Sequence, residues 1–183
     1  MTSLYLWSQF FGAVAIPLNF LRFRQTSRKA ILLWGFPVGV ALILSQWCND
    51  QYQGMAMSAA SMASSLSQAP FGLDTRQHKV GRLVLALLFG LGGVWWFPPS
   101  SYWPTWIPLL AYLMGRLGEA QRSFLRLRIV WLGSTALWLG YYLLYANWAG
   151  AVLESMVLGM SLRFVVRALR DGNGGLEGVV NDC

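Results

Sequence analysis

Long apolar runs, separated by short segments that carry the charges, dominate the chain. The clearest pair is 129–145, which has no charged side chain, and 148–166, which is joined to it by Ala146 and Asn147. About twenty helical residues are needed to cross the ~30 Å hydrocarbon core of a bilayer. Each arm of this hairpin is therefore predicted to be a transmembrane helix.

Five further apolar runs precede this hairpin. They cover residues 4–20, 30–47, 52–69, 83–97 and 103–117. The third run is rich in serine, methionine and alanine, residues that favour contact between helices over contact with lipid. It is therefore expected to be an internal helix. The sequence predicts an all-α membrane protein with seven transmembrane helices and a disordered cytoplasmic tail at 171–183.

The basic residues support this count. If seven spans alternate in direction, all fourteen lysine and arginine residues fall on one side of the membrane. Lysine and arginine near the ends of spans favour the cytoplasm. Removing any one span would divide the basic residues between both sides. The N-terminus is therefore predicted to lie outside and the C-terminus in the cytoplasm.

The two halves of the chain also resemble each other. A shift of 96 residues superposes related positions, namely Gly54 on Gly150, Ser58 on Glu154 and Ser65 on Ser161. A shift of 97 superposes Trp34 on Trp131, which predicts one inserted residue in the outer loop of the first half. Three helices reverse the direction of the chain, so a linker helix would keep two such units parallel.

The resulting domain prediction is a single integral membrane domain at 1–170. It comprises two parallel three-helix bundles, at 4–69 and 103–170, joined by a linker helix at 83–97.

The composition changes this picture little, but it excludes several functions. Hydrophobic residues make up 56% of the chain and charged residues only 11%, against roughly a quarter in soluble proteins. The net charge of +7 is carried between apolar runs rather than on a solvated patch, so nucleic-acid binding is not expected. Cys48 and Cys183 fall on opposite predicted sides and cannot pair. No catalytic or metal-binding pattern occurs, so we expect no enzyme, cofactor or metal.

Six polar or aromatic residues are candidates for lining a solute-binding cavity: Glu154, Ser58, Ser61, Ser65, Ser161 and Trp138. An acidic residue in a span costs roughly +2.5 to +3.5 kcal/mol at the helix centre, so Glu154 is expected to face the bundle interior. The serines of the third span recur at three or four residues and share one face. The alternatives are that Glu154 reaches water near the surface, that the serines serve close helix packing, and that Trp138 is a core residue.

A family resemblance is carried by two segments, FLRFRQTSRKAILLWGF and ALWLGYYLLYANWAGAVLESMVLGMSLRFVVRALR. They resemble the YgjV-like family of bacterial inner-membrane proteins, over residues 4–170. The resemblance implies a bacterial inner membrane, with the N-terminus periplasmic and the C-terminus cytoplasmic. The order of elements is also similar to that of the SWEET, SemiSWEET and PQ-loop transporters, which have parallel repeats. In this order, a basic loop leads to an aromatic-rich helix, a short turn and a helix ending in arginine. No Pro-Gln dipeptide occurs, and Ser58, Ser61 and Glu154 stand where the sugar transporters tend to carry asparagine.

The resemblance implies a transporter of a small polar solute through a central cavity. The alternative is a non-transporting membrane protein that acts as a sensor or an assembly partner. The expected partners are the lipid bilayer and the solute, and association with a second copy of the chain stays open.

Overall fold

The computed structural model describes residues 3–24, 28–68, 76–119 and 124–170, and within these ranges all the regular structure is helical. Seven α-helices follow one another: α1 Ser3–Phe23, α2 Arg28–Trp47, α3 Tyr52–Gln68, α4 Arg76–Trp96, α5 Ile107–Glu119, α6 Phe124–Leu144 and α7 Trp148–Arg170. A 3₁₀ helix, Trp103–Trp106, leads into α5. The predicted number of helices is confirmed for this part of the chain, and the predicted tail at 171–183 lies outside it.

Three helices are long and apolar enough to cross a membrane by themselves. They are Ser3–Arg22 in α1, Leu125–Leu144 in α6 and Trp148–Arg170 in α7. Shorter apolar stretches occur at Leu33–Trp47 in α2 and Val80–Trp96 in α4. Large apolar side chains are exposed on the outside of the bundle, as with Leu91 at 65% and Trp95 at 85%. Exposed apolar surface on this scale is typical of a protein that contacts lipid.

The helices extend beyond several predicted ends. α4 begins at Arg76 and α6 at Phe124, so the predicted starts of these helices, at residues 83 and 129, are wrong. Arginine, lysine and glutamine are good helix formers, and backbone hydrogen bonding continues past the end of an apolar run. In contrast, 103–106 forms a 3₁₀ turn, and the α-helix starts at Ile107, where Pro108 fits the first turn.

The third helix has the internal position predicted for it. Ala56, Met57 and Ala60 of α3 are buried in one cluster with Tyr112 of α5. Gly93 of α4 packs directly against α3, because a Cβ built there would clash with the Met57 methyl carbon. Small side chains let helices approach closely inside a membrane. The low hydropathy of α3 therefore follows from its protein surroundings.

Six helices form a closed ring, and the seventh packs outside it. α1, α2 and α3 pack in sequence, as do α5, α6 and α7, while contacts of α7 with α1 and of α3 with α5 close the ring. α4 packs on α3 and α5. Tyr112 of α5 donates a hydrogen bond from its hydroxyl to the backbone oxygen of Ala86 and so anchors α4.

The two ends of the bundle differ in composition. We call the end that carries the turns 48–51 and 145–147 the turn end, and the opposite end the basic end. Seven exposed tryptophans lie around the turn end: Trp7, Trp47, Trp95, Trp96, Trp103, Trp106 and Trp148. Tryptophan is enriched at the boundary between lipid and water. The turn end is therefore suited to one face of the bilayer.

Candidate functional site

A cavity of about 160 Å³ lies inside the ring of six helices. Its wall takes residues from α1, α2, α3, α5, α6 and α7, whereas no described residue of α4 contributes. Four of the lining residues are arginine or glutamate: Arg22, Arg116, Glu119 and Glu154. Charged side chains in a membrane bundle are expensive and usually mark a functional pathway. This cavity is therefore the candidate site.

Arg116 joins α5 to α3 in the wall of the cavity. Its Nη1 lies 2.7 Å from Oε2 of Glu119 and donates to Oγ of Ser65 at 3.1 Å. Its Nη2 donates to Oγ of Ser61 at 2.8 Å. The side chain is only 9% exposed, yet its Nε has no hydrogen-bond partner among the described residues. The serine face predicted on α3 thus provides two acceptors for a buried guanidinium group.

Glu154 lines the same cavity from α7, and Arg22 lines it from the end of α1. The two side chains are close enough to interact electrostatically. Their relative depth follows from Gly12 of α1, where an added Cβ would lie 2.7 Å from Cβ of Ala149 on α7. From that level Glu154 lies about 7.5 Å and Arg22 about 15 Å toward the basic end, at ~1.5 Å per helical residue. The two charges therefore occupy different depths of one cavity.

Two tryptophans, Trp131 and Trp138, and two tyrosines, Tyr112 and Tyr142, form the aromatic part of the wall. Trp138 stacks on Tyr142 with ring centroids 5.8 Å apart and meets Tyr141 edge-on at 5.9 Å. Trp131 donates from Nε1 to the backbone oxygen of Gly115 at 3.3 Å. The predicted position of Trp138 at a cavity is consistent with this geometry, and its packing against the two tyrosines fixes the ring.

At the turn end, the ring is closed by a buried hydrogen-bonded cluster of five residues, which we call the turn-end seal: Ser45, Gln46, Gln51, Tyr142 and Asn147. Gln46 donates from Nε2 to the Tyr142 hydroxyl at 2.9 Å. Asn147 donates from Nδ2 to Oγ of Ser45 at 3.2 Å and to Oε1 of Gln51 at 3.1 Å. Tyr142 also lines the cavity, so the seal adjoins the cavity on the side of the turn end.

Residues 6–171 match the Imp-YgjV family, whose description is "Bacterial inner membrane protein". The chain belongs to the Imp-YgjV family. The match runs through every helix from α1 to α7, so the apolar helices are those of a bacterial inner-membrane protein. No curated protein and no solved structure gives a significant match.

Five of the six candidate residues lie on the wall of the cavity in this Imp-YgjV protein: Ser58, Ser61, Ser65, Trp138 and Glu154. Ser161 does not lie there. It is fully buried on α7, and its hydroxyl has no hydrogen-bond partner among the described residues. The sequence equivalence of Ser65 and Ser161 therefore does not extend to equal positions at the cavity.

Sequence reasoning missed Arg22, Arg116 and Glu119. It assigned Arg22 to a cytoplasmic loop, Arg116 to the cytoplasmic end of the fifth span and Glu119 to the segment after it. The structure puts all three in the last turns of α1 and α5 and on the cavity wall. The spacing of Arg116 and Glu119 by three residues, which lets the two side chains meet on a helix, is the signal that could have indicated a buried ion pair. Within the described residues, no group of three metal-ligating side chains lies together.

Proposed function

We propose that this Imp-YgjV protein moves a small polar solute across the bacterial inner membrane through the central cavity. The observation that carries the proposal is the cavity itself, which is charged, surrounded by six helices and closed at the turn end. A protein that only holds helices together gains nothing from four charged side chains around an open space, because each costs free energy in the bilayer. The proposal includes no enzymatic reaction and no cofactor.

The proposed topology has seven spans, with the turn end in the periplasm and the basic end in the cytoplasm. Exposed arginines lie at the basic end of several helices, as with Arg24 after α1 and Arg163, Arg167 and Arg170 on α7. Such clusters favour the cytoplasmic side. The N-terminus is then periplasmic and the C-terminus cytoplasmic.

The proposed architecture is two parallel three-helix units, α1–α3 and α5–α7, with α4 as linker. Its best support is the contact between residues that are 96 positions apart. Three hydrogen-bonded pairs have this separation: Gln46 with Tyr142, Asn49 with Tyr145, and Gln51 with Asn147. Residues that touch their own counterparts lie on the axis that relates two repeats. The ring contacts fit as well, because exchanging the two units exchanges the α1–α7 contact with the α5–α3 contact.

The backbone of the two turns repeats with the same separation. Gln51 donates from its amide to the oxygen of Gln46 at 2.9 Å, and Asn147 does so to Tyr142 at 2.9 Å. Asp50 and Ala146, also 96 apart, have φ values of 55° and 52°. The turns therefore have equal length, and the insertion predicted in the first one is wrong. If Trp34 corresponds to Trp131, the extra residue lies in α2, which contains Pro37.

Transport through this arrangement needs a second state in which the turn-end seal opens. The seal consists of side-chain hydrogen bonds between the two units, and water can replace such bonds when the units separate. Motion of one repeat against the other around a fixed site is how transporters built from repeats give access to each side in turn. The described structure then corresponds to the state that is closed to the periplasm.

Solute flux into proteoliposomes tests the proposal. Glu154→Gln keeps the shape of the side chain and removes the charge, and we expect it to reduce flux at least about tenfold, since a charged hydrogen bond is worth roughly 1.5–3 kcal/mol. Ser155→Ala is the matched control, because Ser155 is the next residue on α7, is exposed and bonds only its own helix at Ala151. Absence of flux for every solute in a broad panel would instead favour the sensor or assembly partner.

A further inference from the structure

The geometry points to a small zwitterion, a solute that carries both a carboxylate and an ammonium group, as the ligand of the central cavity. This inference rests on the proposed function and specifies its substrate class. The four charged side chains on the wall, two arginines and two glutamates, have a formal sum of zero. A solute with both signs matches such a wall better than a solute with one sign or none.

The anionic group of the solute is assigned to Arg116 and Arg22. Arg116 lines the cavity and has bonds from Nη1 and Nη2, but its Nε is buried and lacks an acceptor among the described residues. A buried donor without an acceptor costs free energy, which a bound acceptor recovers. A carboxylate is the acceptor that suits a guanidinium group best, because its two oxygens match the fork of N–H groups. Arg22 adds a second positive charge to the same wall.

The cationic group is assigned to Glu154. Glu119 already has a cation, because Nη1 of Arg116 lies 2.7 Å from it. Glu154 lies on another helix, α7, and nearer to the turn end than Arg22. The attraction between opposite charges grows as the dielectric constant falls, so an ammonium group beside Glu154 gains more here than in water. Trp138 lines the same cavity and offers an aromatic ring to a cation.

The size of the cavity limits the solute. About 160 Å³ is well below the roughly 300–1,000 Å³ of pockets for drug-sized ligands. A disaccharide or a nucleotide does not fit into this space. A solute of a few heavy atoms that carries one carboxylate and one ammonium group does.

Four small solutes separate the contributions of the two charges. Alanine carries both groups, propionate lacks the ammonium group, ethylamine lacks the carboxylate, and glycerol is neutral. Equilibrium binding to the purified full-length protein is measured for each, together with uptake into proteoliposomes. We expect alanine to bind at least about tenfold more tightly than each of the other three, because each of the latter lacks at least one charge-assisted bond. Glycine, β-alanine and 4-aminobutyrate extend the series to other distances between the two groups.

Charge-removing variants assign each group to its residue. In Arg22→Gln, the preference for alanine over ethylamine should fall about tenfold, whereas its preference over propionate should persist. In Glu154→Gln, which keeps the size of the side chain, the preference over propionate should be lost instead. Arg24→Gln and Ser155→Ala are the controls, since Arg24 and Ser155 are exposed neighbours of the two residues. Both controls should bind all four solutes as the unmodified protein does.

The outcomes distinguish the two proposals. Flux of glycerol, sugars or simple carboxylates, with no preference for any zwitterion of the series, would overturn the zwitterion site and leave transport standing. Flux of no solute at all would overturn transport. Unchanged preferences in Glu154→Gln, with the variant folded as judged by its melting temperature, would refute the role given to Glu154 even if zwitterions bind.

Discussion

The bond cluster around Arg116 gives the sharpest test of the structure, because one side chain links two halves of the ring. Arg116→Met removes the hydrogen bonds to Ser61 and Ser65 and leaves the Glu119 carboxylate, 11% exposed, without its cation. Removing one partner of a buried ion pair typically costs about 3–5 kcal/mol. We therefore expect Arg116→Met to lower the free energy of unfolding by that amount.

The second step of the cycle isolates the ion pair. In Arg116→Met with Glu119→Gln, no buried charge is left unpaired, so the double variant should be more stable than Arg116→Met alone. The expected coupling is about 1.5–3 kcal/mol, the usual value for a hydrogen bond to a charged group. Arg163→Met, at an exposed position on α7, is the control and should change stability by less than about 0.5 kcal/mol.

The cycle consists of the unmodified protein, Arg116→Met, Glu119→Gln and the double variant. The free energy of unfolding of each is measured by reversible unfolding in mixed micelles, followed by circular dichroism. A coupling within about 0.5 kcal/mol of zero would refute the reasoning, because independent sites add within that range. So would an effect of Arg116→Met no larger than that of Arg163→Met, since Arg116 would then behave as an exposed loop residue.

Three further predictions concern the seal and the topology. Gly54→Ala should destabilise the protein by about 1–3 kcal/mol, because its Cβ would lie 2.8 Å from the Tyr141 ring. Gly92→Ala is the control and should not destabilise it, because its Cβ would meet nothing within 4 Å. Thermal melting of both variants measures the difference. Tyr142→Phe removes the acceptor of Gln46 at the seal and should raise solute leak from the periplasmic side, whereas an unchanged leak would contradict the seal. In Arg24→Cys, the new thiol should react with a membrane-impermeant reagent only from the cytoplasm. Labelling of this thiol from the periplasm in intact cells would contradict the proposed topology.

The number and order of the helices in the described part of the chain were largely predictable, because hydropathy reports on them. Apolar runs indicated seven helices, and the serine-rich composition of 52–69 indicated a helix surrounded by protein, which α3 is. The ends of the helices were less predictable. Arginine and glutamine continue a helix as readily as they occur in a loop, so α4 and α6 start several residues before their apolar runs.

The candidate site was only half predictable for a related reason. Glu154 stood out because a carboxylate inside an apolar run is expensive. Arg116 stood at the end of such a run, where an arginine usually extends to the membrane surface. Whether it turns inward instead depends on the acceptors opposite, Ser61 and Ser65, which are more than fifty residues away in the sequence. Local patterns do not report such a distant contact, and the same holds for the pairing of the two turns.

The central claim, that the cavity is an aqueous site reached in turn from both sides of the membrane, is tested most directly by a cysteine within it. Ser58→Cys, in a protein whose Cys48 and Cys183 are replaced by serine, places one thiol on the cavity wall. Its rate of alkylation by an impermeant reagent is measured from each side of oriented vesicles. We predict reaction from both sides, slowed by a transported solute and faster from the periplasm when Tyr142 is changed to phenylalanine. A thiol that reacts from neither side, or from one side at a rate that no solute alters, would contradict the account.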